Sequence, residues 1–576
     1  MIRLRRLAFA IVTAVLIGAA VSIPAQNQPA QDPGVASTTG LVVCVSTPAC
    51  DAGASILRKG GNAVDAAVAT AFALAVTHPS AGNIGGGGFM IVRAPNGDTT
   101  AFDYRERAPL RSAATMYLDK DGKIDRGLTA AGYLAPGVPG TVRGLAMAHR
   151  KFGNLPWKDV VSPAVDLAGN GFRVSAALAR GLNNEIKGPM ATFPASVAAY
   201  GKPGGSEWAE GDTTVLGDLA KTLRAIATDG PDAFYKGWIA DLIAADMKAN
   251  GGLIAKDDLA AYEAKERAPV RGTFRGYEVI SMPPPSSGGT ALIEMLNILE
   301  NFDLGKRAWL APETLHLVIE AQRRAFLDRA RHLGDPDFVQ VPVERLTSKA
   351  YAKDLAKTID PAKASKSVEL GQDIVTAASD AEPEETTQFS VIDKDGMAVS
   401  STYTLEGGYG SHVVVEGAGF LLNNEMGDFN KKPGETNVQG DIGTPANLIK
   451  PGKRMLSSMT PTIITKDGKL ALVTGSPGGR TIINTVLTVV LNVTAFGANG
   501  RQAVDAPRLH HQWLPDRTTI EEGALSEEAL AALRALGHDI QARGRQGDAH
   551  SIYVDAKTGT IYGVNDKRSP DSKAAK

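Results

Sequence analysis

The sequence predicts a fold of stacked α-helices and β-sheets. Residues 387–405 are typical of a β-hairpin, because β-favouring residues alternate along the first strand and an Asp-Lys-Asp-Gly turn precedes the second. Residues 61–77 are dominated by Ala, Val, Leu and Phe on every face, so a helix there must be buried on both sides, as between helices and a sheet. Further turns at residues 466–469 and 557–559 indicate two more hairpins.

Composition indicates a globular chain with an unspecialised surface. The 576 residues are 43% hydrophobic and 21% charged, with a formal net charge of −1. Such a balance gives no electrostatic footprint for nucleic acid. At about 150 residues per domain the length would allow three or four domains. The chain has no repeats and one long spacer, before residue 386, so a single large interwoven domain is the alternative.

Residues 1–25 have the pattern of a secretory signal peptide. Three arginines within the first six residues precede an apolar run over residues 7–23, and Pro24-Ala25 closes the segment. The alternative is an uncleaved membrane anchor, but the run is short of the roughly 20 residues that span a bilayer. We expect a periplasmic or secreted protein.

The chain has two cysteines, Cys44 and Cys50. In an oxidising compartment such a close pair forms a small-loop disulfide; the alternative is two partly buried free thiols. The spacing does not fit a CxxC metal or redox motif.

A polar, acidic connector over residues 377–385 ends directly before Thr386, where the hairpin begins. A threonine hydroxyl is a poor nucleophile unless a base takes its proton, and an N-terminal threonine carries its own base, the α-amine. That amine has an unperturbed pKa of about 7.7–8. Cleavage between Glu385 and Thr386 would create this arrangement. The alternative is an ordinary threonine at the start of a strand.

Long ordered motifs resemble those of the γ-glutamyltranspeptidases. The resemblance runs from about Gly40 to the end of the chain, and it is carried by residues 60–90, 102–109 (FDYRERAP), 137–144, 282–289, 386–411, 419–429 (GFLLNNEMGDF), 453–463, 475–480 (GSPGGR), 506–516 and 562–569. It implies an α+β Ntn-hydrolase fold, a four-layer αββα sandwich formed by both halves of a self-cleaved chain. Residues 26–385 would form the large subunit of a heterodimer and residues 386–576 the small catalytic subunit.

The same resemblance implies an extracytoplasmic γ-glutamyltransferase and glutathione hydrolase, without metal or organic cofactor. Its substrates would be glutathione or related γ-glutamyl compounds, and its acceptors water, amino acids or peptides. Matched residue by residue, Thr386 is the nucleophile that also cleaves the precursor, and Thr404 supports it. Gly478 and Gly479 supply the oxyanion hole with their backbone N–H groups.

The substrate-binding residues are matched in the same way. Arg105 would clamp the substrate α-carboxylate with its planar fork, and the hydroxyls of Ser457 and Ser458 would complete that pocket. The α-ammonium group would be held by three acids, which can lie together only when a cation joins them. These acids are Glu406, Glu425 and Asp428.

Two features depart from the family pattern. Many members carry Asn and Gln where this chain has Glu406 and Glu425, so we expect a more acidic site with altered acceptor preference or pH dependence. The Gly/Pro-rich segment between Asp428 and Ser457 resembles a lid. Several members carry a tyrosine where this lid has Gln439, which would change the gating contact.

Two rival functions remain open. A related acylase would act on glutaryl-type β-lactam side chains, which lack the α-amino group that the three acids suit. A non-catalytic homologue would bind γ-glutamyl peptides, but the chain retains the nucleophile.

The glycine run at residues 82–88 precedes a strand, so it is interpreted as close backbone packing near the active centre. His510, His511 and His550 are interpreted as structural, and the arginines of the predicted helix over residues 312–333 as its solvated or ion-paired face.

Overall fold

Two seven-stranded β-sheets carry the architecture. They are seen in a computed structural model, which describes residues 32–376 and 386–576. The signal peptide expected at residues 1–25 and the acidic connector at 377–385 lie outside the described residues. Within the described ranges, no helix is both long enough and apolar enough to cross a membrane.

The strands are short and spread over the whole described chain. In chain order they are β1 (Val35–Ser37), β2 (Gly40–Cys44), β3 (Gly87–Arg93), β4 (Thr99–Asp103), β5 (Phe172–Arg173), β6 (Thr213–Thr214), β7 (Lys265–Arg267), β8 (Val270–Phe274), β9 (Tyr277–Ser281), β10 (Thr387–Asp393), β11 (Ala398–Thr404), β12 (Thr462–Lys466), β13 (Lys469–Thr474), β14 (Leu509–His510), β15 (Thr518–Glu521), β16 (Ile540–Arg543), β17 (Ser551–Val554), β18 (Ile561–Val564) and β19 (Lys573–Ala575).

Helices occupy most of the chain between residues 127 and 370. In chain order they are α1 (Thr47–Arg58), α2 (Ala63–Thr77), α3 (Gly127–Ala130), α4 (Thr141–Phe152), α5 (Trp157–Asn170), α6 (Ala176–Lys187), α7 (Pro194–Tyr200), α8 (Gly217–Asp229), α9 (Asp232–Tyr235), α10 (Trp238–Ala249), α11 (Lys256–Ala260), α12 (Gly288–Leu299), α13 (Pro312–His332), α14 (Val343–Leu346), α15 (Lys349–Lys357), α16 (Ser367–Leu370), α17 (Thr481–Thr494), α18 (Gly500–Asp505) and α19 (Glu527–Ala535).

Both halves of the chain contribute strands to each large sheet. One sheet has the order β1-β18-β17-β13-β12-β9-β8 and the other β19-β2-β10-β11-β3-β4-β7. Within each sheet, strands from before residue 386 are therefore hydrogen-bonded to strands from after it. Of the two organisations that the sequence left open, the structure has the interwoven one.

The two sheets pack face to face between helical layers. Alternate residues of β2 separate the layers: Leu41 and Val43 join Ile463 and Val473 of the other sheet in a core between the sheets. Val42 points the other way, into a core with α1, α2, α4 and α5. The outer face of the sheet that contains β8, β9, β12 and β13 shares a core with α12, α13 and α17. This order of layers confirms the predicted αββα sandwich.

Local predictions hold at the centre of the sandwich. Strands β10 and β11 form the expected antiparallel hairpin, with Thr387 opposite Tyr403. Helix α2 is buried along its whole length, and its N-terminus is fixed by a capping box between Asn62 and Asp65. Cys44 and Cys50 form a disulfide, so they are not the pair of free thiols that the sequence left as the alternative, and Cys50 lies within α1.

Candidate active site

Thr386 lies directly before β10, at the end of the central hairpin. Since Thr387 pairs with Tyr403, the neighbouring ends of the two strands bring Thr386 beside Thr404, and both side chains are buried. Thr386 lines a cavity of about 170 Å³. Eight other predicted site residues line the same cavity: Arg105, Thr404, Glu406, Glu425, Asp428, Ser457, Ser458 and Gly479. Gly478 lines an adjoining cavity that also reaches Thr386.

Thr404 is held by the strand and loop around it. Its carbonyl accepts a hydrogen bond from Asn83 Nδ2 at 2.8 Å, and its hydroxyl accepts one from the amide of Glu406 at 2.8 Å. A Cβ on Gly86 would collide with the Thr404 carbonyl, so this glycine permits the approach of the two backbones. The glycine run therefore packs against the active centre, as the sequence predicts.

The predicted carboxylate clamp and the predicted ammonium site touch each other. Arg105 is fully buried, and its guanidinium pairs with Glu425 at 2.6 Å and also with Asp428. The same guanidinium donates to the carbonyls of Met455 at 3.3 Å and Leu456 at 3.4 Å, which places it beside Ser457 and Ser458. A ligand with one carboxylate and one ammonium group matches this neighbouring cation and pair of acids.

Burial and like charges shape the electrostatics of this cluster. Burial alone would lower the pKa of Arg105, but the carboxylates of Glu425, Asp428 and Glu106 raise it above its ordinary value. Burial raises the pKa of Glu425 well above its ordinary value, against the opposing effect of Arg105. Burial likewise raises the pKa of Glu106 to about 8. The cluster thus holds one permanent cation and two buried carboxyl groups, those of Glu425 and Glu106, that resist ionisation.

The 457–458 segment is supported from two helices. The Ser457 carbonyl accepts bonds from the amide and hydroxyl of Ser287 at the start of α12, at 2.8 and 2.6 Å. Ser458 Oγ accepts a bond from Arg329 of α13 at 3.1 Å. The sequence analysis interpreted Arg329 only as part of the solvated or ion-paired face of its helix. In the structure α13 is largely buried, and Arg323 and Arg324 are ion-paired with the buried Glu320 rather than solvated.

Gly478 and Gly479 precede the first turn of α17, a 14-residue helix. Both adopt positive φ, 121° and 53°, and a Cβ on Gly478 would lie 2.5 Å from Thr481 Oγ1. The Gly478 carbonyl accepts bonds from the Thr481 amide and hydroxyl, at 3.0 and 2.6 Å. Two backbone amides at a helix N-terminus suit a developing negative charge.

Asn423 is a structural residue that the sequence analysis did not identify. Its Oδ1 accepts bonds from the amides of Gly137 at 2.8 Å and Glu425 at 3.1 Å, and its Nδ2 donates to the carbonyls of Gly85 and Gly137, each at 2.8 Å. It therefore fixes the turn that carries Glu425 and Asp428. Its place directly before Asn424 and Glu425 in GFLLNNEMGDF was the available signal.

Comparison with known proteins agrees with this geometry. A profile of the family described as Gamma-glutamyltranspeptidase matches residues 49–576. The chain is 48% identical over 541 residues to a protein of Escherichia coli (strain K12) named glutathione hydrolase proenzyme, covering 94% of this chain and 92% of the relative. The chain belongs to the γ-glutamyltranspeptidase family. It is therefore an enzyme, which removes the non-catalytic binding protein from the alternatives.

Acylases are more distant relatives of this family member. A Pseudomonas sp. (strain SE83) protein named acylase ACY 1 proenzyme is 37% identical over 532 residues, covering 91% of each chain. The crystal structure of cephalosporin acylase from Bacillus halodurans superimposes with a TM-score of 0.82 at 28% identity, over 97% of this chain and 99% of that one. Helicobacter pylori gamma-glutamyltranspeptidase gives a TM-score of 0.54 at 47% identity, over 55% of this chain and 91% of that one.

The segment that resembles a lid contributes to the cavity wall. Gln439, Gly440 and Asp441 line the cavity. Asp441 receives a forked pair of bonds from Arg126, at 2.8 and 2.7 Å, which ties the segment to the start of α3. The effect of Gln439 on gating stays a prediction.

The histidines differ in their relation to the cavity. His510 lines it, which the sequence analysis did not anticipate, and its ring bonds to Asn484 at 2.6 Å and Gln512 at 2.9 Å. Among the described residues, one group has the spacing of metal ligands: His316, Glu320 and His538. Glu320 already pairs with Arg323 and Arg324, and His316 bonds to His538 at 2.8 Å, so these ligand atoms have protein partners.

Proposed function

We propose that this chain is a γ-glutamyltranspeptidase and glutathione hydrolase whose nucleophile is Thr386, exposed by cleavage after Glu385. One observation supports the assignment above all others. Thr386 shares a cavity with a buried arginine paired to two acids, and it adjoins two glycine amides at a helix N-terminus. This is the constellation that acyl transfer from an amino-acid head group requires.

In maturation, Thr386 Oγ1 attacks the carbonyl carbon of Glu385, and the Glu385–Thr386 C–N bond breaks as the hydroxyl proton passes to the Thr386 nitrogen, which becomes the free α-amine. Water then hydrolyses the resulting ester, which gives the carboxylate of Glu385 and restores the hydroxyl of Thr386. Residues 26–385 become the large subunit and residues 386–576 the small one. Because each sheet contains strands of both subunits, hydrogen-bonded to one another, the heterodimer keeps one continuous core. The E. coli relative is named a proenzyme, which agrees with such processing.

In acylation, the free α-amine of Thr386 takes the proton of its own hydroxyl, and Oγ1 attacks the γ-carbonyl of the substrate. The amides of Gly478 and Gly479 donate to the oxyanion. The Thr404 hydroxyl lies beside the nucleophile and orients it. When the C–N bond breaks, the α-ammonium returns the proton to the leaving amine.

The two charged groups of the γ-glutamyl head group bind to different residues. The α-carboxylate binds Arg105 and the hydroxyls of Ser457 and Ser458. The α-ammonium binds Glu425 and Asp428, with Glu406 on the same wall of the cavity. Arg105 pairs with both Glu425 and Asp428. Binding of the zwitterion therefore replaces these ion pairs with pairs between Arg105 and the substrate carboxylate and between the two acids and the substrate ammonium.

Water or the amine of an amino acid or peptide then attacks the acyl-enzyme ester, again with the Thr386 amine as base. Water gives hydrolysis, and an amine gives transfer. The glutathione hydrolase name of the relatives supports glutathione as a substrate. The sequence pattern of residues 1–25 supports periplasmic or secreted localisation.

The alternative function, a glutarylase, would bind a differently charged substrate in the same cavity. A glutaryl group has no α-ammonium, so it would leave Glu425 and Asp428 without a substrate cation. The test compares hydrolysis of γ-glutamyl p-nitroanilide and glutaryl p-nitroanilide by the purified protein. We expect a higher kcat/KM for the γ-glutamyl compound, and preference for the glutaryl compound would overturn the proposal. Thr386→Ala should abolish both maturation and turnover, whereas Thr386→Ser retains a hydroxyl and should process.

A further inference from the structure

Three arginines besides Arg105 line the cavity that contains Thr386. They are Arg480, Arg517 and Arg543, and the mechanism above assigns none of them a task. Arg543 also lines the adjoining cavity of about 410 Å³, and Thr386 is the other residue that both cavities share. A cationic wall thus reaches the nucleophile.

Arg480 and Arg517 both contact neutral oxygen atoms of the protein. Arg480 donates to the carbonyl of Gly440 at 3.2 Å, which joins it to the lid-like segment. Half-buried Arg517 contacts Gln541 Oε1 at 3.4 Å, and no carboxylate in the described ranges lies within ion-pair distance of it. A half-buried guanidinium with a neutral partner suits an anionic ligand.

His510 lines the same cavity as Arg480 and Arg543. Burial, together with the positive charges of Arg543 and Arg480, lowers the pKa of its imidazole to about 4, against the opposing effect of its bond to Gln512. The ring is therefore neutral at neutral pH and adds no charge to the wall. Asp441, which also lines the cavity, is already paired with Arg126.

The charges of a γ-glutamyl peptide indicate which of its groups would bind to these arginines. A γ-glutamyl peptide with a free C-terminus carries two carboxylates and one ammonium group. Arg105 and its acids take the α-carboxylate and the ammonium. The second carboxylate lies beyond the scissile amide, and it needs a cation of its own in a partly desolvated site.

We propose that Arg480, Arg517 and Arg543 form a subsite for the C-terminal carboxylate of the peptide beyond the scissile amide. This inference rests on the proposed function and adds the class of leaving group and acceptor. During acylation the subsite holds the leaving peptide while its C–N bond breaks and its amine gains the proton of the Thr386 ammonium. During transfer an acceptor peptide occupies the same place, because its amine attacks where the first amine departed. The enzyme therefore selects peptides with a free carboxylate on both sides of the reaction.

The test compares γ-glutamyl-cysteinyl-glycine with γ-glutamyl-cysteinyl-glycinamide, which differs in that carboxylate alone. We expect the mature wild-type enzyme to favour the acid in kcat/KM by about tenfold to a hundredfold, the range for a hydrogen bond to a charged group. Arg517→Gln should bring the acid/amide ratio towards one, and Arg517→Lys should restore part of it. Arg534→Gln, at an exposed position of α19, is the matched control and should keep the wild-type ratio.

An acid/amide ratio near one in the wild-type enzyme would overturn the inference without any variant, while release of glutamate from both compounds would leave the proposed function intact. A wild-type ratio that survives Gln substitution of all three arginines would overturn it as well. If neither compound nor γ-glutamyl p-nitroanilide is turned over, the proposed function fails, and this inference fails with it. The same comparison with a dipeptide acceptor and its amide should show the same preference in transfer.

Discussion

Arg105→Gln should impair both folding and substrate recognition. The guanidinium is fully buried and pairs with Glu425 at 2.6 Å and with Asp428, while Glu106 lies 3.7 Å away. Removing the cation leaves the buried carboxyl groups of Glu425 and Glu106 without it, beside the exposed Asp428. Breaking a buried ion pair by deleting one partner costs about 3–5 kcal/mol. We therefore expect a lower urea midpoint for the variant.

The catalytic loss follows from the fork of the guanidinium. Two charge-assisted hydrogen bonds to the substrate α-carboxylate are worth about 1.5–3 kcal/mol each, so about 3–6 kcal/mol together. At 1.36 kcal/mol per factor of ten, kcat/KM for γ-glutamyl p-nitroanilide should fall about 10²- to 10⁴-fold.

Arg105→Lys separates the two effects. A lysine keeps a charge near Glu425 and Asp428 but cannot make the forked contact, so we expect a smaller loss of stability and most of the loss of kcat/KM. Exposed Arg534→Gln serves as the control for loss of an arginine. If Arg105→Gln unfolds at the wild-type urea concentration and retains kcat/KM within about threefold, the placement of Arg105 in the substrate clamp is wrong.

Three further predictions concern other parts of the molecule. Thr404→Val should lower kcat by about tenfold or more, because it removes the hydroxyl beside the nucleophile, and an unchanged single-turnover rate would contradict its role. Burial raises the pKa of the Glu106 carboxyl from 4.5 to about 8, so the stability that this carboxyl contributes is fully present below pH 4.5 and is lost as the pH rises towards 8. The stability of Glu106→Gln relative to wild type should therefore be greater at pH 8 than at pH 5. Equal differences in urea midpoint between variant and wild type at the two pH values would refute this. Opening the Cys44–Cys50 disulfide by Cys50→Ser should cost about 2 kcal/mol, as expected for a short loop, and a urea midpoint unchanged from wild type would count against it.

The sequence predicted those parts of the fold that local patterns specify. The hairpin around residues 387–405 has its turn chemistry in four consecutive residues, and α2 is apolar on every face, so both could be recognised without partners. The order of strands within the sheets could not be predicted, since β2 and β10 are neighbours from distant parts of the chain. Their pairing depends on the packing of the whole sandwich rather than on either segment.

The same distinction applies to the site. Family motifs identified the residues that line the cavity, but the contacts that position them join distant segments. Arg329 supports Ser458 from α13, and Asn423 holds the turn of Glu425 through the backbone of Gly137. An arginine on a helix and an asparagine in a loop have many possible partners, and sequence spacing does not choose among them. The pairing of Arg105 with Glu425 was likewise visible only once both were in place.

Maturation should make Thr386 the N-terminus of a catalytic subunit. The most direct measurement is a denaturing gel of the purified protein with N-terminal sequencing of each band. We expect two chains for the wild-type protein, the smaller beginning Thr-Thr-Gln-Phe, and a single uncut chain for Thr386→Ala. A wild-type protein that hydrolyses γ-glutamyl p-nitroanilide while remaining one uncut chain would contradict it.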